Sequence, residues 1–452
     1  MKETLFHGRF GRMSTPVSTA IPAIARRLKA LSPKLTAMTT EAKNRALQAM
    51  ADALRRGALE LAAANQKDLE AAELIGLATP LLSRLKFQGV KIAQAAEGVE
   101  SVARLPDPVG RTLSARELDK GLELYQVTCP LGVIAMIFES RPDALVQMVA
   151  LSLKSGNAVI LKGGAEALHT NRALADLLLS ASAAAGVPSG WFHLAETRDD
   201  VQALLELDDC LDLIIPRGSN EFVQHIMKNT TIPVLGHADG LCHLYVDGAA
   251  QVQKAISIII DSKTQYVAVC NAVETVLVHR DIAPYLLPPL KQAFDEKEVE
   301  VRADPVARKL IPSAKEAFEQ DWETEYLDYI LSVKVVDSLD EAVAHINMYG
   351  SRHTDGIITE NRATAETFLN SVDTANAFWN CSTRFADGFR YGLGAEVGVS
   401  TSKLHARGPV GLDGLVTYKW KLYGNGHIVD PYAGEGGKAF THKDLLAGKA
   451  GK

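Results

Sequence analysis

The sequence predicts an α/β protein with two or more domains, built on parallel sheets that are covered by helices on both faces. From residue 130 onward, short apolar runs alternate with helical segments, which is the pattern of buried parallel strands joined by helices. The chain has 452 residues, and single cores stop growing at roughly 250–300 residues. A hydrophobic content of 47% is ample for more than one packed core.

The first third of the chain is predicted to be helical. Residues 32–73 are rich in Ala, Leu, Lys and Glu, and Thr39 with Glu41 forms a helix start signal. Apolar residues recur there on one helical face: Leu47, Met50, Leu54 and Leu61. Residues 1–20 lack an apolar secretory segment and are expected to be a disordered leader.

A β-hairpin is predicted next, with arms at Arg111–Leu118 and Leu122–Thr128 around a turn that ends in Gly121. A two-stranded ribbon is marginally stable alone. We therefore expect the hairpin to pair with another element or another subunit.

Two regions of alternating strands and helices follow the hairpin. The first contains strands at Gly132–Phe138, Ala158–Lys162, Trp191–Leu194 and Leu213–Ile215, and helices at Pro142–Ser155 and Glu166–Ala184. The second contains helices at Val252–Lys263 and Leu339–Asn347, and strands at Glu274–Val278, Leu331–Val336 and Gly356–Ile358. Residues 380–410 are rich in Gly, Ser and Arg without periodicity, and long irregular segments of this kind are usually functional.

The composition excludes several classes of function. A formal net charge of −6 argues against nucleic-acid binding, which needs a basic face. Five cysteines without a CxxC pair argue against a disulfide framework and a zinc or other metal site, and favour a reducing compartment. No apolar run is long enough to predict a membrane span.

Two strand-to-helix turns are candidates for phosphate binding. In Leu213–Glu221 an apolar strand leads through Gly218 and Ser219 into a helix, and Val159–Gly164 repeats the arrangement with Lys162 at the strand end. Free backbone N–H groups at such sheet edges bind nucleotides, although each segment could also be an ordinary turn.

Cys270 is the candidate nucleophile because it lies in a loop between a predicted helix and a predicted strand, where a substrate can reach it. The alternative is a small buried hydrophobic residue. Arg384, Arg390 and Arg407 cluster in the irregular segment and form either a pocket for an anion or a solvated loop.

Seven blocks carry a resemblance to a known family: Phe138–Asp143, Ile214–Asn220, Cys270–His279, Trp322–Asp328, His353–Glu360, Asn380–Gly388 and Gly394–Pro409. In order and over nearly the whole chain, they resemble the γ-glutamyl phosphate reductases, a branch of the aldehyde dehydrogenase superfamily. So many ordered blocks favour a nucleophilic Cys270 and phosphate-binding turns over a buried cysteine and ordinary turns.

The resemblance implies an aldehyde-dehydrogenase-like fold with a Rossmann-like cofactor domain, an α/β catalytic domain and a small oligomerisation hairpin. The implied NADPH-binding domain comprises residues 21–110 and 130–238. Residues 111–129 would form the oligomerisation hairpin, and residues 239–400 the catalytic domain. Residues 401–452 would return to the cofactor domain and add an oligomerisation strand. A homodimer or homotetramer is implied.

The implied reaction is the reduction of L-glutamate 5-phosphate by NADPH to L-glutamate 5-semialdehyde and phosphate, the second step of proline biosynthesis from glutamate. It would run through a Cys270 thioester in the cytoplasm, with glutamate 5-kinase as a transient partner. Rival functions are an aldehyde dehydrogenase or a CoA-acylating relative for another semialdehyde, and a catalytically silent scaffold.

The resemblance also assigns residues. Cys270 would be the nucleophile, while its own backbone N–H and Ser140 would stabilise the oxyanion. Ser140 stands where the superfamily has an asparagine, and Gly236 stands where hydrolytic members carry a glutamate that activates water.

Cofactor contacts are implied for Lys162, Gly163, Ala165, Gly218, Ser219 and Glu325. Lys162 and Glu325 match residues that hold the two riboses. Ala165 replaces a glutamate of NAD-preferring relatives, which favours NADPH. Substrate contacts are implied for Arg141, Arg217, Ser382, Thr383, Arg384 and Asp387.

Overall fold

The computed structural model describes residues 20–77, 79–139, 141–236 and 239–447. The predicted leader therefore lies outside the described residues, apart from Ala20. The helices are α1 Ala20–Thr36, α2 Thr40–Arg56, α3 Ala58–Leu74, α4 Thr79–Leu85, α5 Val90–Arg104, α6 Pro142–Ser155, α7 Leu168–Ala184, α8 Arg198–Leu204, α9 Asn220–Lys228, α10 Val252–Thr264, α11 Ala283–Asp295, α12 Pro305–Leu310, α13 Leu339–Tyr349 and α14 Arg362–Ser371.

The strands of the described ranges are β1 Thr112–Asp119, β2 Leu122–Pro130, β3 Val133–Phe138, β4 Ala158–Lys162, β5 Phe192–Ala195, β6 Leu213–Arg217, β7 Cys242–Val246, β8 Val273–His279, β9 Glu300–Ala303, β10 Lys315–Glu316, β11 Ile330–Val336, β12 Thr354–Ile358, β13 Asn376–Trp379, β14 Gly398–Ser400, β15 Gly408–Val410, β16 Val416–Tyr423 and β17 Lys443–Asp444. Every helix and strand that the sequence predicts in the two alternating regions is present within a few residues, which confirms the α/β class.

The first parallel sheet has the strand order β5-β4-β3-β6. Strands β3 and β4 are buried along their whole length because helices cover both faces of the sheet. Residues from α1, α2, α5, α6 and α7 complete this core, together with four residues of the C-terminal segment: Val397, Val410, Leu412 and Leu415.

The second parallel sheet has the order β10-β9-β11-β8-β7-β12-β13. Helices α10, α11 and α12 contribute to the core on one face, and α13 and α14 contribute to the other. The chain therefore has two separate parallel-sheet cores, as its length indicated.

The predicted hairpin is confirmed as the strands β1 and β2, which lie in an antiparallel sheet of order β16-β2-β1-β17. Both added strands come from the C-terminal part of this same chain. The strand β16 forms one edge of the sheet and exposes about half of each of four large side chains: Tyr418, Trp420, Leu422 and Tyr423.

The helical first third differs from the prediction at one point. Thr39 caps α2 as predicted, and its side chain accepts a hydrogen bond from the Ala42 N–H at 3.2 Å. The helix ends at Arg56, however, because Gly57 closes it with an N–H bond to the Ala53 carbonyl at 2.8 Å. Leu61 consequently belongs to the next helix rather than to the stripe on α2.

In the described ranges, no helix is long and apolar enough to span a membrane. The same ranges contain no group of three or more His, Cys, Asp or Glu residues that could hold a metal ion.

Candidate active site

A cleft of about 840 Å³ lies between the carboxyl edge of the first sheet and the loops that precede β8 and β11 of the second sheet. Strands β3 and β6 end side by side at this edge, where Phe138 pairs with Arg217. The residues of the cleft that the sequence singled out are Arg141, Arg217, Gly218, Ser219, Cys270, Glu325, Arg384 and Asp387. The structure thus brings together residues that are up to 246 positions apart in the chain (387 minus 141).

Cys270 lies in the loop between α10 and β8, as predicted, and its side chain is half-buried in the cleft. The loop is held by two interactions. The Ala272 N–H donates to the Val269 carbonyl at 3.0 Å, and the Asn271 side chain donates to the Ala386 carbonyl at 2.9 Å. Cys270 is therefore accessible while its backbone is fixed from both sides.

The segment before β7 packs directly against the Cys270 backbone. A Cβ atom at Gly240 would lie 2.4 Å from the Cα and 2.3 Å from the carbonyl oxygen of Cys270. Two residues later, the Cys242 Sγ donates to that same carbonyl oxygen at 3.2 Å. Only glycine permits this approach at position 240, so Gly240 sets the position of the Cys270 backbone.

Two guanidinium groups, those of Arg217 and Arg384, face the cleft near Cys270. Burial lowers the pKa of both, and the anionic form of Cys270 acts in the opposite direction on each. The Glu396 carboxylate also counteracts the lowered pKa of Arg217. Arg384 is only 8% exposed, and its Nε donates to the Gln265 side-chain oxygen at 2.9 Å. Two cations that line the same cleft as Cys270 suit an anionic ligand.

The turn at Gly218 and Ser219 opens the helix α9. Ser219 is the residue before that helix and makes no side-chain cap bond, while its backbone N–H donates to the Glu139 carboxylate. Gly218 leaves no spare room, because a Cβ there would come within 3.0 Å of the Glu139 carboxyl carbon and the Phe222 ring. The Glu139 carboxylate therefore lies at the N-terminus of α9, where the helix dipole favours a negative charge.

Glu325 lies next to this turn, in the loop before β11. The Asn220 side chain, on the first residue of α9, donates to the Glu325 carboxylate at 3.0 Å and to Asp239 at 2.6 Å. This amide links the first-sheet side of the cleft to the loop before β11.

Lys162 ends β4 on the same sheet edge, one strand beyond β3. It is buried, its pKa is lowered chiefly by burial, and its Nζ donates to the Gly163 carbonyl. Gly163 is packed against the Asn171 amide, and Ala165 is exposed at the start of a single 3₁₀ turn. These three residues adjoin the cleft at the sheet edge but are not among its lining residues.

The predicted substrate residues divide into two groups. Ser382 and Thr383 are buried and do not line the cleft; both bond to the Ser262 hydroxyl of α10, through the Ser382 side chain at 3.1 Å and the Thr383 N–H at 3.2 Å. They anchor the loop that carries Arg384. By contrast, Asp387 lines the cleft, as does the exposed Arg141, which pairs with Asp143 at 2.8 Å. Ser140 lies outside the described residues.

A second cavity, of about 870 Å³, adjoins the first between α4, α5, α6 and the Cys270 loop. Arg84, Arg141, Ala268 and Val269 line both cavities. The loop that carries Cys270 is consequently bordered by two openings.

Sequence reasoning missed several residues of the site: Glu139, Asn220, Gly240, Asn271 and Glu396. Glu139 and Asn220 fall within the blocks that carry the resemblance and directly adjoin residues that were chosen, and this adjacency was the available signal. Gly240 carried no local signal, because its close contact with Cys270 exists only in the folded chain.

Comparison with known proteins agrees with this geometry. The aldehyde dehydrogenase family model matches residues 12–317. The γ-glutamyl phosphate reductase of Pelotomaculum thermopropionicum is 60% identical and covers 93% of this chain and 97% of its own length. That of Acetivibrio thermocellus is 57% identical, with coverage of 94% and 98%.

A solved structure shows the same similarity. The crystal structure of γ-glutamyl phosphate reductase from Thermotoga maritima superposes with a TM-score of 0.89 at 38% identity, over 90% of this chain and 99% of that one. The chain belongs to the aldehyde dehydrogenase family and, within it, to the γ-glutamyl phosphate reductases.

Proposed function

We propose that this enzyme reduces L-glutamate 5-phosphate to L-glutamate 5-semialdehyde and phosphate through a thioester on Cys270, as the second step of proline synthesis from glutamate. One observation carries the proposal beyond the family name. Arg217 and Arg384 line the same cleft as Cys270. Two guanidinium groups in the cleft of the reacting sulfur suit the reduction of an anionic acyl compound.

The family implies a nicotinamide cofactor, and the residues of the cleft fit one. The turn at Gly218 and Ser219 opens α9, and the N–H groups at this helix N-terminus would hold the pyrophosphate in place of the Glu139 carboxylate. We assign the pyrophosphate to this turn, the adenosine ribose to Lys162 with Gly163, and the nicotinamide ribose to Glu325. When bound, the reduced cofactor supplies the hydride.

The chain's own residues carry the covalent chemistry. The Cys270 sulfur attacks the acyl carbon, a C–S bond forms, and the C–O bond to phosphate breaks, so that phosphate leaves with the electron pair. After reduction of the thioester, the C–S bond breaks and returns the thiolate as the aldehyde forms. Sulfur suits both steps because it is nucleophilic and also leaves readily.

Several residues are proposed to stabilise the charges of this reaction. The Cys270 backbone N–H and Ser140 would donate to the oxyanion. Arg217 and Arg141 would hold the phosphate, and Arg384 with Asp387 the amino-acid head group. Ser382 and Thr383 would act on the substrate indirectly, because they anchor the loop that carries Arg384.

The reverse reaction is expected to require inorganic phosphate. Gly236 offers no side chain to activate water, so the thioester should release its acyl group to phosphate rather than to hydroxide. The measurement is reduction of NADP by glutamate 5-semialdehyde with and without phosphate. An equal rate in phosphate-free buffer would instead favour a hydrolytic aldehyde dehydrogenase.

We expect NADPH to be preferred over NADH by roughly tenfold or more in kcat/KM, which corresponds to about 1.4 kcal/mol. Ala165 places no carboxylate against a 2′-phosphate, and the neighbouring Glu166 carboxyl lies close to Gly164. Steady-state kinetics with both cofactors provide the measurement. A preference for NADH would contradict the assignment of Ala165.

Replacing Arg384 with alanine is expected to raise KM for the acyl phosphate roughly tenfold or more, because the lost contacts are charged hydrogen bonds. KM for NADPH should stay within about twofold and serves as the internal control. Equal increases in both constants would show that Arg384 supports the cleft in general rather than the substrate.

The remaining assignments are also proposals. We assign NADPH binding to the domain of the first parallel sheet and catalysis to the domain of the second. The antiparallel sheet would assemble the protein as a dimer or tetramer through the edge strand β16. Analytical ultracentrifugation would measure the subunit number. The low cysteine content fits the cytoplasm. There, glutamate 5-kinase would deliver the labile acyl phosphate, and a pull-down from cytoplasmic extract tests this association.

A further inference from the structure

A fully buried ion pair lies beneath the cleft and is not used by the proposed chemistry. The Lys263 ammonium and the Glu274 carboxylate are 2.7 Å apart, and their side chains are 0% and 1% exposed. Lys263 is in the last turn of α10 and Glu274 is the second residue of β8. The pair therefore joins the two ends of the loop that carries Cys270.

The same carboxylate reaches a second loop. Its other oxygen accepts the backbone N–H of Leu327 at 3.4 Å. Leu327 lines the cleft two residues after Glu325 and has φ of +52°, in the left-handed region that a leucine rarely adopts. Such a backbone persists only where its surroundings hold it in place.

The charges around the pair show what Lys263 balances. Burial raises the pKa of Glu274 and lowers that of Lys263, and each partner opposes the shift in the other. The Glu325 carboxylate adds to the rise in the pKa of Glu274, while the Asp328 carboxylate favours the charged form of Lys263. Without Lys263, Glu274 would be a buried carboxylate beside Glu325, which is strongly unfavourable.

We propose that Lys263 and Glu274 are positioning residues, which hold the Leu327 backbone so that Glu325 meets the nicotinamide ribose while the Cys270 loop stays closed at its base. The inference rests on the proposed role of Glu325 in cofactor binding. It goes beyond that role because neither Lys263 nor Glu274 lines the cleft.

The decisive variant removes both charges together. Lys263→Met with Glu274→Leu replaces the pair by apolar side chains, which often leaves stability nearly unchanged, but it removes the acceptor of the Leu327 N–H. We expect the Kd for NADPH, measured by titration calorimetry on the full-length protein, to rise at least about tenfold. The thermal midpoint should stay close to that of the unmodified protein.

Two further variants make the result specific. Lys263→Met with Glu274→Gln keeps a carbonyl oxygen for Leu327 and is expected to restore the Kd to within about threefold of the original. The control variant, Lys43→Met with Asp107→Leu, removes another buried ion pair. Lys43 is 1% exposed, and its pair with Asp107 joins α2 to the loop before β1. This control should leave the Kd unchanged.

Glu325→Gln separates the two levels of the proposal. If this variant binds NADPH normally, the assignment of Glu325 fails and the inference fails with it. If Glu325→Gln weakens binding but the Met/Leu double variant does not, the positioning role alone is overturned. A fallen thermal midpoint with an unchanged Kd would likewise show a purely structural pair.

Discussion

Replacing Cys270 with serine is expected to lower turnover by at least about a thousandfold, with the Kd for NADPH unchanged. A serine hydroxyl is a weak nucleophile unless a base activates it, and the hydroxyl is also a poor leaving group in the last step. The measurement is kcat for acyl phosphate reduction together with calorimetric titration of NADPH. Among the changes considered, this one should have the largest effect on activity.

Cys381 provides the matched control, because it is also half-buried and free. Burial raises its pKa, and it is not among the residues that line the two cavities. Cys381→Ser should therefore keep near-normal turnover. The nucleophile would have to be reassigned if Cys270→Ser retained activity while Cys381→Ser lost it.

Replacing Gly240 with alanine is expected to lower kcat by roughly a hundredfold, although Gly240 does no chemistry itself. The added methyl group would have to occupy space 2.4 Å from the Cα of Cys270, so the nucleophile loop must move. A displacement of about 1 Å of a reacting group is enough for a loss of this size. Iodoacetamide labelling of Cys270, followed by peptide mass spectrometry, should show an altered rate.

Gly236→Ala is the control for this change. It lies in the same segment, and a Cβ there would meet its nearest neighbour, in Pro216, at 3.5 Å, which is ordinary contact. Its kcat should remain within about threefold of the original. Normal turnover in Gly240→Ala would mean that the loop adapts without displacing the sulfur.

The sequence predicted the strands and helices of both alternating regions because continuous apolar runs and helical periodicity are local signals. It also placed Lys162 at the end of a strand and Gly218 in the turn after another, and the parallel topology then brings these strand ends to one edge. The break at Gly57 was missed because the apolar stripe continues across it to Leu61. The resemblance to a family singled out Glu325, which no periodicity would have selected.

Other assignments depended on distances between segments that are remote in the sequence. Ser382 and Thr383 match substrate positions by pattern, yet their bonds to Ser262 place them behind the cleft lining. Arg141 and Arg384 are 243 positions apart in the chain (384 minus 141) and yet line the same cleft. No local pattern reports such contacts.

By itself, the sequence determined the α/β class and the family, and it singled out Cys270 and the turns at Lys162 and Gly218 as candidate site residues, since each depends on residue types at short spacing. Only the tertiary structure decided that Gly240 presses on Cys270, that Glu139 lies at the N-terminus of α9, and that Lys263 and Glu274 join two loops. The physical reason is that close packing and buried charge pairing are properties of segments brought together by folding.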